Sequence, residues 1–181
     1  MHDSPKTVLQ FWFEEIAPQQ WWKKSPEFDR ALTERFGAVH RSAAASELFV
    51  WRNSAQGRVA EVLVLDQFSR HIYRDRPEAF ACDPMALALA QTAVALGLDK
   101  DLPIPLRQFL YMPYMHSESK AVHQEALVLF AAPGLEKSLL SEREHQKIID
   151  RFGRYPHRNA LLGRVSTEEE LEFLQTPHSS F

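Results

Sequence analysis

Apolar residues recur along this chain at three- and four-residue spacing, which is the pattern of helices that bury one face. Ser25 and Pro26 supply an N-cap and a proline in the first helical turn, ahead of apolar residues at helical spacing, namely Phe28, Leu32 and Phe36. Asp83 and Pro84 repeat the arrangement before an apolar run that ends at Gly97, a helix stop. Strand signals do not recur. The pattern predicts an all-α fold of antiparallel helical pairs.

Prolines and capping residues predict further helix boundaries. Pro105 is expected to open a short helix that Pro113 interrupts, and Ser117 to cap a helix that ends at Ala132. Two segments have the form of capping boxes, in which a serine and a later glutamate bind each other's backbone N–H groups, namely Ser141-Glu-Arg-Glu144 and Ser166-Thr-Glu-Glu169. With no linker or repeat in view, the prediction is a single helical domain over residues 1–181.

Composition narrows the class of protein. The 181 residues are 45% hydrophobic and 25% charged, enough apolar material for a sizeable core. Cys82 is the single cysteine, the first residues lack the apolar run of a secretion signal, and no apolar stretch has the length of a membrane span. The net charge of −3 argues against nonspecific nucleic-acid binding. We therefore expect a cytoplasmic protein that binds neither nucleic acid nor membrane.

Charged residues fall on an apolar helical stripe between Arg58 and Ile72. A step of 100° per residue places Asp66 and Arg70 on one side of a helix that is apolar nearly all round. The two form an i, i+4 pair and are expected to be shielded from water. Gln67 and Arg74 flank the same stripe. The alternatives are an ion pair that fixes the helix, or one side of a ligand pocket.

Two histidines are not explained by local structure. His145 lies at helical spacing with Ile148, Ile149 and Phe152 in a helix expected to begin at Ser141, so it faces inward. It is either a core histidine held by one hydrogen bond or a ligand or acid–base residue. Capping accounts for Ser117 and Glu118 but leaves His116 without a role.

The segment Arg151–Arg164 carries four arginines and His157 without a carboxylate. Gly153 is predicted to end one helix and Pro156 to begin a short one that runs to Gly163, placing Arg158 in its first turn. A cation there opposes the helix dipole, whereas the N–H groups of that turn favour an anion. Either a bound anion or carboxylates from elsewhere balance the charge; the candidate carboxylates are Asp66, Asp83 and Glu118.

Several common chemistries lose support because their motifs are missing. The chain has no phosphate-binding loop, no dinucleotide-binding glycine pattern, no Gly-x-Ser-x-Gly elbow and no His-Glu-x-x-His. The spacings of the histidines fit no standard set of metal ligands, and nearby arginines repel a cation. We expect no metal and no cofactor.

Three segments resemble the signature blocks of the bacterial domain-of-unknown-function 924 family. They are Leu65-Asp-Gln-Phe-Ser-Arg-His-Ile-Tyr-Arg74, Tyr111-Met-Pro-Tyr-Met-His-Ser-Glu118 and Arg151-Phe-Gly-Arg-Tyr-Pro-His-Arg-Asn-Ala-Leu-Leu-Gly-Arg164. The likeness also takes in Phe11-Trp-Phe13, Ala79-Phe-Ala-Cys-Asp83 and Thr167-Glu-Glu-Glu170. The resemblance implies a tetratricopeptide-like helical fold and brings no established activity, substrate or cofactor.

Two functions follow as hypotheses. The first is a pocket for a carboxylate or phosphate in which arginines hold the anion and His116, His145 or His157 moves a proton. The second is a noncatalytic helical-repeat adaptor that binds a peptide or protein partner. The residues leave open whether the protein is an enzyme and what its oligomeric state is. The candidate ligand-binding residues are Asp66, Gln67, Arg70, Arg74, His116, Glu118, Arg151, Arg154, His157, Arg158, Asn159 and Arg164.

Overall fold

The computed structural model describes residues 4–177 and residue 179, and these contain helices and turns without a strand. The prediction of an all-α protein is therefore confirmed. The α-helices, in chain order, are α1 (Pro5–Gln10), α2 (Pro26–Ala44), α3 (Ala55–Leu63), α4 (Ser69–Ile72), α5 (Asp83–Ala95), α6 (Ile104–Met115), α7 (Lys120–Phe130), α8 (Glu136–Phe152) and α9 (Glu168–Leu174).

Shorter segments connect or extend these helices. Two wider π-helical segments continue α-helices, Phe11–Glu15 after α1 and Val64–Phe68 between α3 and α4. Tighter 3₁₀ turns occupy Pro18–Trp22, Phe49–Asn53, Pro77–Phe80 and Pro156–Arg158. The segment Val64–Phe68 is fully buried, and it makes the helix from Ala55 to Ile72 continuous but not uniform in its winding.

The chain divides into two compact units. The first consists of the described residues up to Arg74 together with Glu78–Pro113. Within it α3 packs against α1 and α5, and α2 packs against α4 and the π-helical segment that precedes α4. Its core contains several buried aromatic rings, among them Phe11, Trp12, Phe36, Phe68 and Phe109.

The second unit consists of Asp75–Pro77 and the described residues from Tyr114 onward. Here α7 and α8 pack side by side, and α9 packs against the 3₁₀ turn Pro156–Arg158. One apolar cluster of this unit consists of the buried residues Ile148, Ile149 and Tyr155, with Phe152 and Phe173 packed against them. Further apolar residues of α7 and of the turn after it are also buried, namely Ala126, Phe130 and Leu135.

The predictions from proline and glycine at helix ends are largely confirmed. Ser25 caps α2, its hydroxyl accepting from the N–H of Phe28, with Pro26 as the first helical residue. Gly97 and Gly153 follow α5 and α8, each with a φ of +69°, a left-handed conformation that glycine adopts without strain. Helix α5 begins at Asp83, the residue predicted as its N-cap, and so starts one position earlier than predicted.

Other boundary predictions are wrong. Ser141 does not open a helix, because α8 begins at Glu136 and the Ser141 hydroxyl donates to the carbonyl of Lys137 inside it. Pro113 does not interrupt α6, which continues to Met115. Ser117 is not the cap of α7, which begins at Lys120. The capping box near the end of the chain joins Thr167 to Glu170, one residue later than predicted.

The short helix predicted from Pro156 to Gly163 is also wrong. Only the three residues Pro156–Arg158 form a helical turn, of the 3₁₀ type, and turns follow up to Gly163, which has a φ of +64°. So short a turn has almost no dipole, and the argument that an anion is needed there to satisfy a helix terminus does not hold.

Among the described residues, no helix combines the length and the apolar character that crossing a membrane requires.

Candidate functional site

In the first unit, Arg70 binds two carboxylates. Its Nη1 lies 3.1 Å from Oδ1 of Asp66, and Nη1 and Nη2 donate to the two oxygens of Asp83 at 2.9 and 3.0 Å. Gln67 donates to the other Asp66 oxygen at 2.5 Å. The Asp66 side chain is 1% exposed, so the predicted buried i, i+4 ion pair is confirmed. Asp66 and Asp83 were two of the three candidate carboxylates for the later arginine segment, and both bind Arg70 instead.

Arg74 belongs to a separate group in the same unit. Its Nε and Nη2 donate to the carboxylate of Asp29 at 2.5 and 2.8 Å, and Nδ1 of His71 lies 2.8 Å from the same carboxylate. Burial by itself raises the pKa of Asp29, but the hydrogen bonds from Arg74 and His71 outweigh it and the pKa lies below its usual value. Asp29 therefore acts as a buried anion that ties α2 to the end of α4.

In the second unit, the arginine segment meets carboxylates from the same unit. Arg154 donates from Nε and Nη2 to Glu170 at 2.6 and 2.7 Å, and Arg151 pairs with Glu169 at the surface. The hydrogen bond from Arg154 is the largest cause of the low pKa of Glu170, about 2. Glu169 and Glu170 were not predicted as partners.

Glu118 is the predicted carboxylate that does face the segment. Arg164 donates from Nη1 and Nη2 to its two oxygens at 2.6 and 2.9 Å, and the N–H of Tyr155 donates at 2.7 Å. Burial raises the pKa of Glu118, but these hydrogen bonds and the charges of Arg164 and Arg158 bring it below its usual value. Asn159 joins the group by accepting from Nε of Arg164 at 3.0 Å.

Side chains hold the backbone of the segment Met115–Glu118, which we call the 115–118 turn. The hydroxyl of Tyr155 donates to the carbonyl of Met115 at 2.5 Å, and Nη2 of Arg158 donates to that of His116 at 3.0 Å. His123 Nε2 lies 2.8 Å from the carbonyl of Ser117. Three consecutive carbonyls thus accept from side chains, and Glu118 is bound as described above. The turn that presents His116 is fixed at every residue.

Imidazole rings surround Tyr155, which is itself buried. The ring centroids of His123, His145 and His157 lie 6.3, 5.8 and 5.6 Å from that of Tyr155. The guanidinium carbon of Arg158 lies 4.7 Å from the same centroid. Arg158 is 6% exposed, whereas His116 and His157 are half-buried. The cluster therefore holds the buried guanidinium of Arg158 and reaches the surface through the half-buried imidazole of His157.

His145 is a neutral member of this cluster. It is 8% exposed, as its predicted inward position requires, and Nδ1 donates to the carbonyl of Ser141 at 2.8 Å. Burial, helped by the charges of His116, His123 and His157 and opposed by the hydrogen bond to Ser141, lowers its pKa to about 3. With a pKa this low, His145 is almost entirely unprotonated near neutral pH. This disfavours His145 as the residue that transfers a proton.

Sequence reasoning missed His123 and Glu142. Nδ1 of His123 lies 2.6 Å from Oε1 of Glu142, and both side chains are 0% exposed. A signal was present: His123 shares a helical face with Ala126 and Phe130, and Glu142 shares one with His145 and Ile149. Buried polar residues at those spacings are expected to be partners of something.

The candidates fall into both units. Asp66, Gln67, Arg70 and Arg74 belong to the first unit, and the remaining ligand-binding candidates to the second. Within the second, His116, Glu118, Arg158, Asn159 and Arg164 lie together around the 115–118 turn. Arg151 does not join them, since it is half-exposed and bound to Glu169.

Comparison with known proteins gives two matches. The family described as "Bacterial protein of unknown function (DUF924)" matches residues 8–178. A solved structure, that of the protein of unknown function ATU0120 from Agrobacterium tumefaciens, has a TM-score of 0.89 and 36% identity, covering 94% of this chain and 96% of that one. No curated protein matches the chain.

Proposed function

The chain belongs to this family of bacterial proteins of unknown function, and we propose that its second unit binds a small anion, a carboxylate or a phosphate, through Arg158, His116 and His157. Guanidinium and imidazole N–H groups are the donors that proteins use for such ligands, because charge-assisted hydrogen bonds to an anion are short and strong.

One observation carries the proposal: the buried guanidinium of Arg158 is bound to the backbone of half-buried His116 and belongs to the residue that follows half-buried His157. Arg158 is held in place by its bond to the backbone of His116 and by the ring of Tyr155, so it needs little reordering to meet a ligand. Of the neighbouring carboxylates, Glu118 is bound by Arg164 and also interacts with the charge of Arg158, and Glu170 is bound by Arg154.

This proposal is narrower than the site predicted from sequence. Arg70 and Arg154 bind carboxylates of the protein, so we assign them to structure and leave them out of the anion site. His116 and His157 are the imidazoles we assign to proton exchange with a ligand, because the low pKa of His145 keeps that residue neutral. We propose binding as the function and proton transfer as a step that a bound ligand would permit.

A panel of anions tests the proposal. Phosphate, sulfate and small dicarboxylates should raise the melting temperature of the protein saturably, whereas sodium chloride at equal ionic strength should not. An anion present at about 100 times its Kd stabilises the folded state by about 2.7 kcal/mol, which is roughly 5–10 °C for a chain of this size.

Three variants, His157→Asn, Arg158→Lys and the control Arg151→Gln, locate the effect. His157→Asn should weaken anion binding in calorimetry, because a half-buried ligand group is lost. Arg151→Gln is the matched control, since Arg151 is a half-exposed arginine of the same segment and should not alter the affinity. Saturable binding that His157→Asn and Arg158→Lys both leave unchanged, or no binding of any anion by the wild type, would rule the site out.

A second function is favoured by the helical hairpin that α7 and α8 form. It spans residues 120–152, close to the roughly 34 residues of one tetratricopeptide repeat, and exposes Val128 and Leu140 at 75% and 62%. We propose, as the alternative, a tetratricopeptide-like adaptor that binds a peptide or protein partner on this hairpin in the cytoplasm. Val128→Asp with Leu140→Asp should then abolish partner binding and leave anion binding intact; partner binding that survives both changes contradicts the adaptor.

A further inference from the structure

A buried pair in the second unit, Glu142 of α8 and His123 of α7, is attached to the 115–118 turn. The two side chains are 0% exposed and their facing atoms are 2.6 Å apart. A fully buried carboxyl is costly unless it is bound, and burial raises the pKa of Glu142. The anion site proposed above does not use either residue for contact with a ligand.

The partners of His123 determine where its protons lie. A backbone carbonyl can only accept a hydrogen bond, so Nε2, at 2.8 Å from the carbonyl of Ser117, carries a proton. Nδ1 faces Glu142, and one further proton lies between them, on the imidazole or on the carboxyl. In both arrangements the pair has no net charge, and Nε2–H points at the turn.

The same Nε2 atom reaches a second group. It lies 3.2 Å from the hydroxyl oxygen of Tyr155, whose own proton is donated to Met115. The chain of contacts thus runs from Glu142 through His123 to the carbonyl of Ser117 and to Tyr155. Between the two carbonyls bound at its ends, His116 is held by Arg158. If His123 changes its orientation, the hydrogen bond to the carbonyl of Ser117 is lost. The hydrogen bond from Tyr155 to Met115 is weakened, because Tyr155 loses its contact with His123.

We infer that Glu142 is a positioning residue for the anion site: acting through His123, it holds the 115–118 turn so that His116 and Arg158 meet the ligand together. The inference rests on the proposed function, since it names what supports that site. It predicts that the hydrogen-bonding capacity of residue 142 matters and that its negative charge does not.

Two substitutions of Glu142 separate the effect of its hydrogen-bonding capacity from the effect of its negative charge. In Glu142→Gln the amide donates to Nδ1 and keeps Nε2–H directed at Ser117. Glu142→Met is a near-isosteric side chain that offers Nδ1 no partner. Inorganic phosphate should bind Glu142→Gln with nearly the wild-type Kd. It should bind Glu142→Met on the order of tenfold more weakly. That is the lower end of the loss in affinity seen when a metal-ligating histidine loses its outer hydrogen-bond partner, which we take as the analogy.

Nitrogen NMR of the His123 ring reports which ring nitrogens are protonated and hydrogen-bonded, and a change in stability alone does not alter this signal. In the wild type and in Glu142→Gln, Nε2 should be protonated and hydrogen-bonded, while in Glu142→Met that signature should be lost. A wild-type His123 with an unprotonated Nε2 overturns the inference, and this test does not require any variant to fold.

The remaining outcomes distinguish the two proposals. If wild type binds phosphate and Glu142→Met binds it equally well despite an altered His123 signature, the positioning role is wrong and the anion site stands. If wild type binds no phosphate or other anion of the panel, the anion site is wrong and the positioning role falls with it. Weakened binding in Glu142→Met with rescue in Glu142→Gln supports both.

Discussion

Replacing His145 with Gln is expected to remove an acid sensitivity that the buried imidazole builds into the fold. In the folded protein burial lowers the pKa of His145 from 6.5 to about 3, while in the unfolded chain it keeps the ordinary value near 6.5. Between these two values the unfolded chain holds a proton that the folded protein does not. Unfolding is therefore favoured as the pH falls from 6.5 towards 3, and the effect is absent above pH 6.5.

The size of the effect follows from the two pKa values. At pH 5 the unfolded imidazole is almost fully charged and the folded one is neutral. Proton uptake by the unfolded state over the 1.5 pH units below 6.5 contributes about 2 kcal/mol, at about 1.36 kcal/mol per unit. A glutamine cannot take up that proton, but its amide can still donate to the carbonyl that His145 binds.

Urea denaturation at pH 7 and pH 5 measures this contribution. Between the two pH values the wild type should lose about 2 kcal/mol more unfolding free energy than His145→Gln loses. Lys147→Gln is the control: Lys147 lies on the exposed face of the same helix, where it pairs with Glu144, and this variant should follow the wild-type pH dependence. Parallel behaviour of wild type and His145→Gln would refute the reasoning, because it would mean that the folded imidazole titrates normally.

Three further substitutions test the ion pairs. Asp66→Ala should cost about 1–3 kcal/mol in urea denaturation, the range for losing hydrogen bonds to a charged group, because Asp83 still neutralises Arg70; adding Asp83→Ala should cost more than the sum of the single changes. In Glu170→Gln, the loss of folded protein with falling pH, measured by circular dichroism, should be less steep than in the wild type. The folded pKa of Glu170 is about 2, so the stability from its bond to Arg154 is present above the ordinary value of 4.5 and is lost as the pH falls from 4.5 towards 2. An acid transition unchanged in that variant would contradict the assignment.

The helical class and several helix ends were predictable because local chemistry decides them. Ser25 with Pro26 begins a helix and Gly153 ends one through contacts within a few residues, and both predictions are confirmed. The prediction that Ser141 begins a helix was wrong. A serine with a glutamate three residues later also occurs in the middle of a helix, where the hydroxyl binds a carbonyl of the preceding turn. A proline near the end of a helix, as at Pro113, need not stop it when the turns around it are packed.

The site was predictable in its residue types and not in its pairing. Periodicity placed Asp66 with Arg70 because both lie on one helix. Glu118 and Arg164 are 46 positions apart, and nothing in the local pattern selects that partner over any other carboxylate. The pair of His123 and Glu142 was missed for the same reason: each fits the apolar face of its own helix, and only the packing of α7 on α8 shows that they meet.

The wide π-helical turn at Val64–Phe68 makes the length of this stretch as important as its composition. Such a turn contains one residue more than an α-helix needs, so it corresponds to an inserted residue in an otherwise regular helix. Each residue of an α-helix turns the chain by about 100°. A variant shorter by one residue here would still have a helical sequence, yet it would rotate Arg70 away from Asp83. A deletion within Val64–Phe68 is therefore not a conservative change, even where every remaining residue favours a helix.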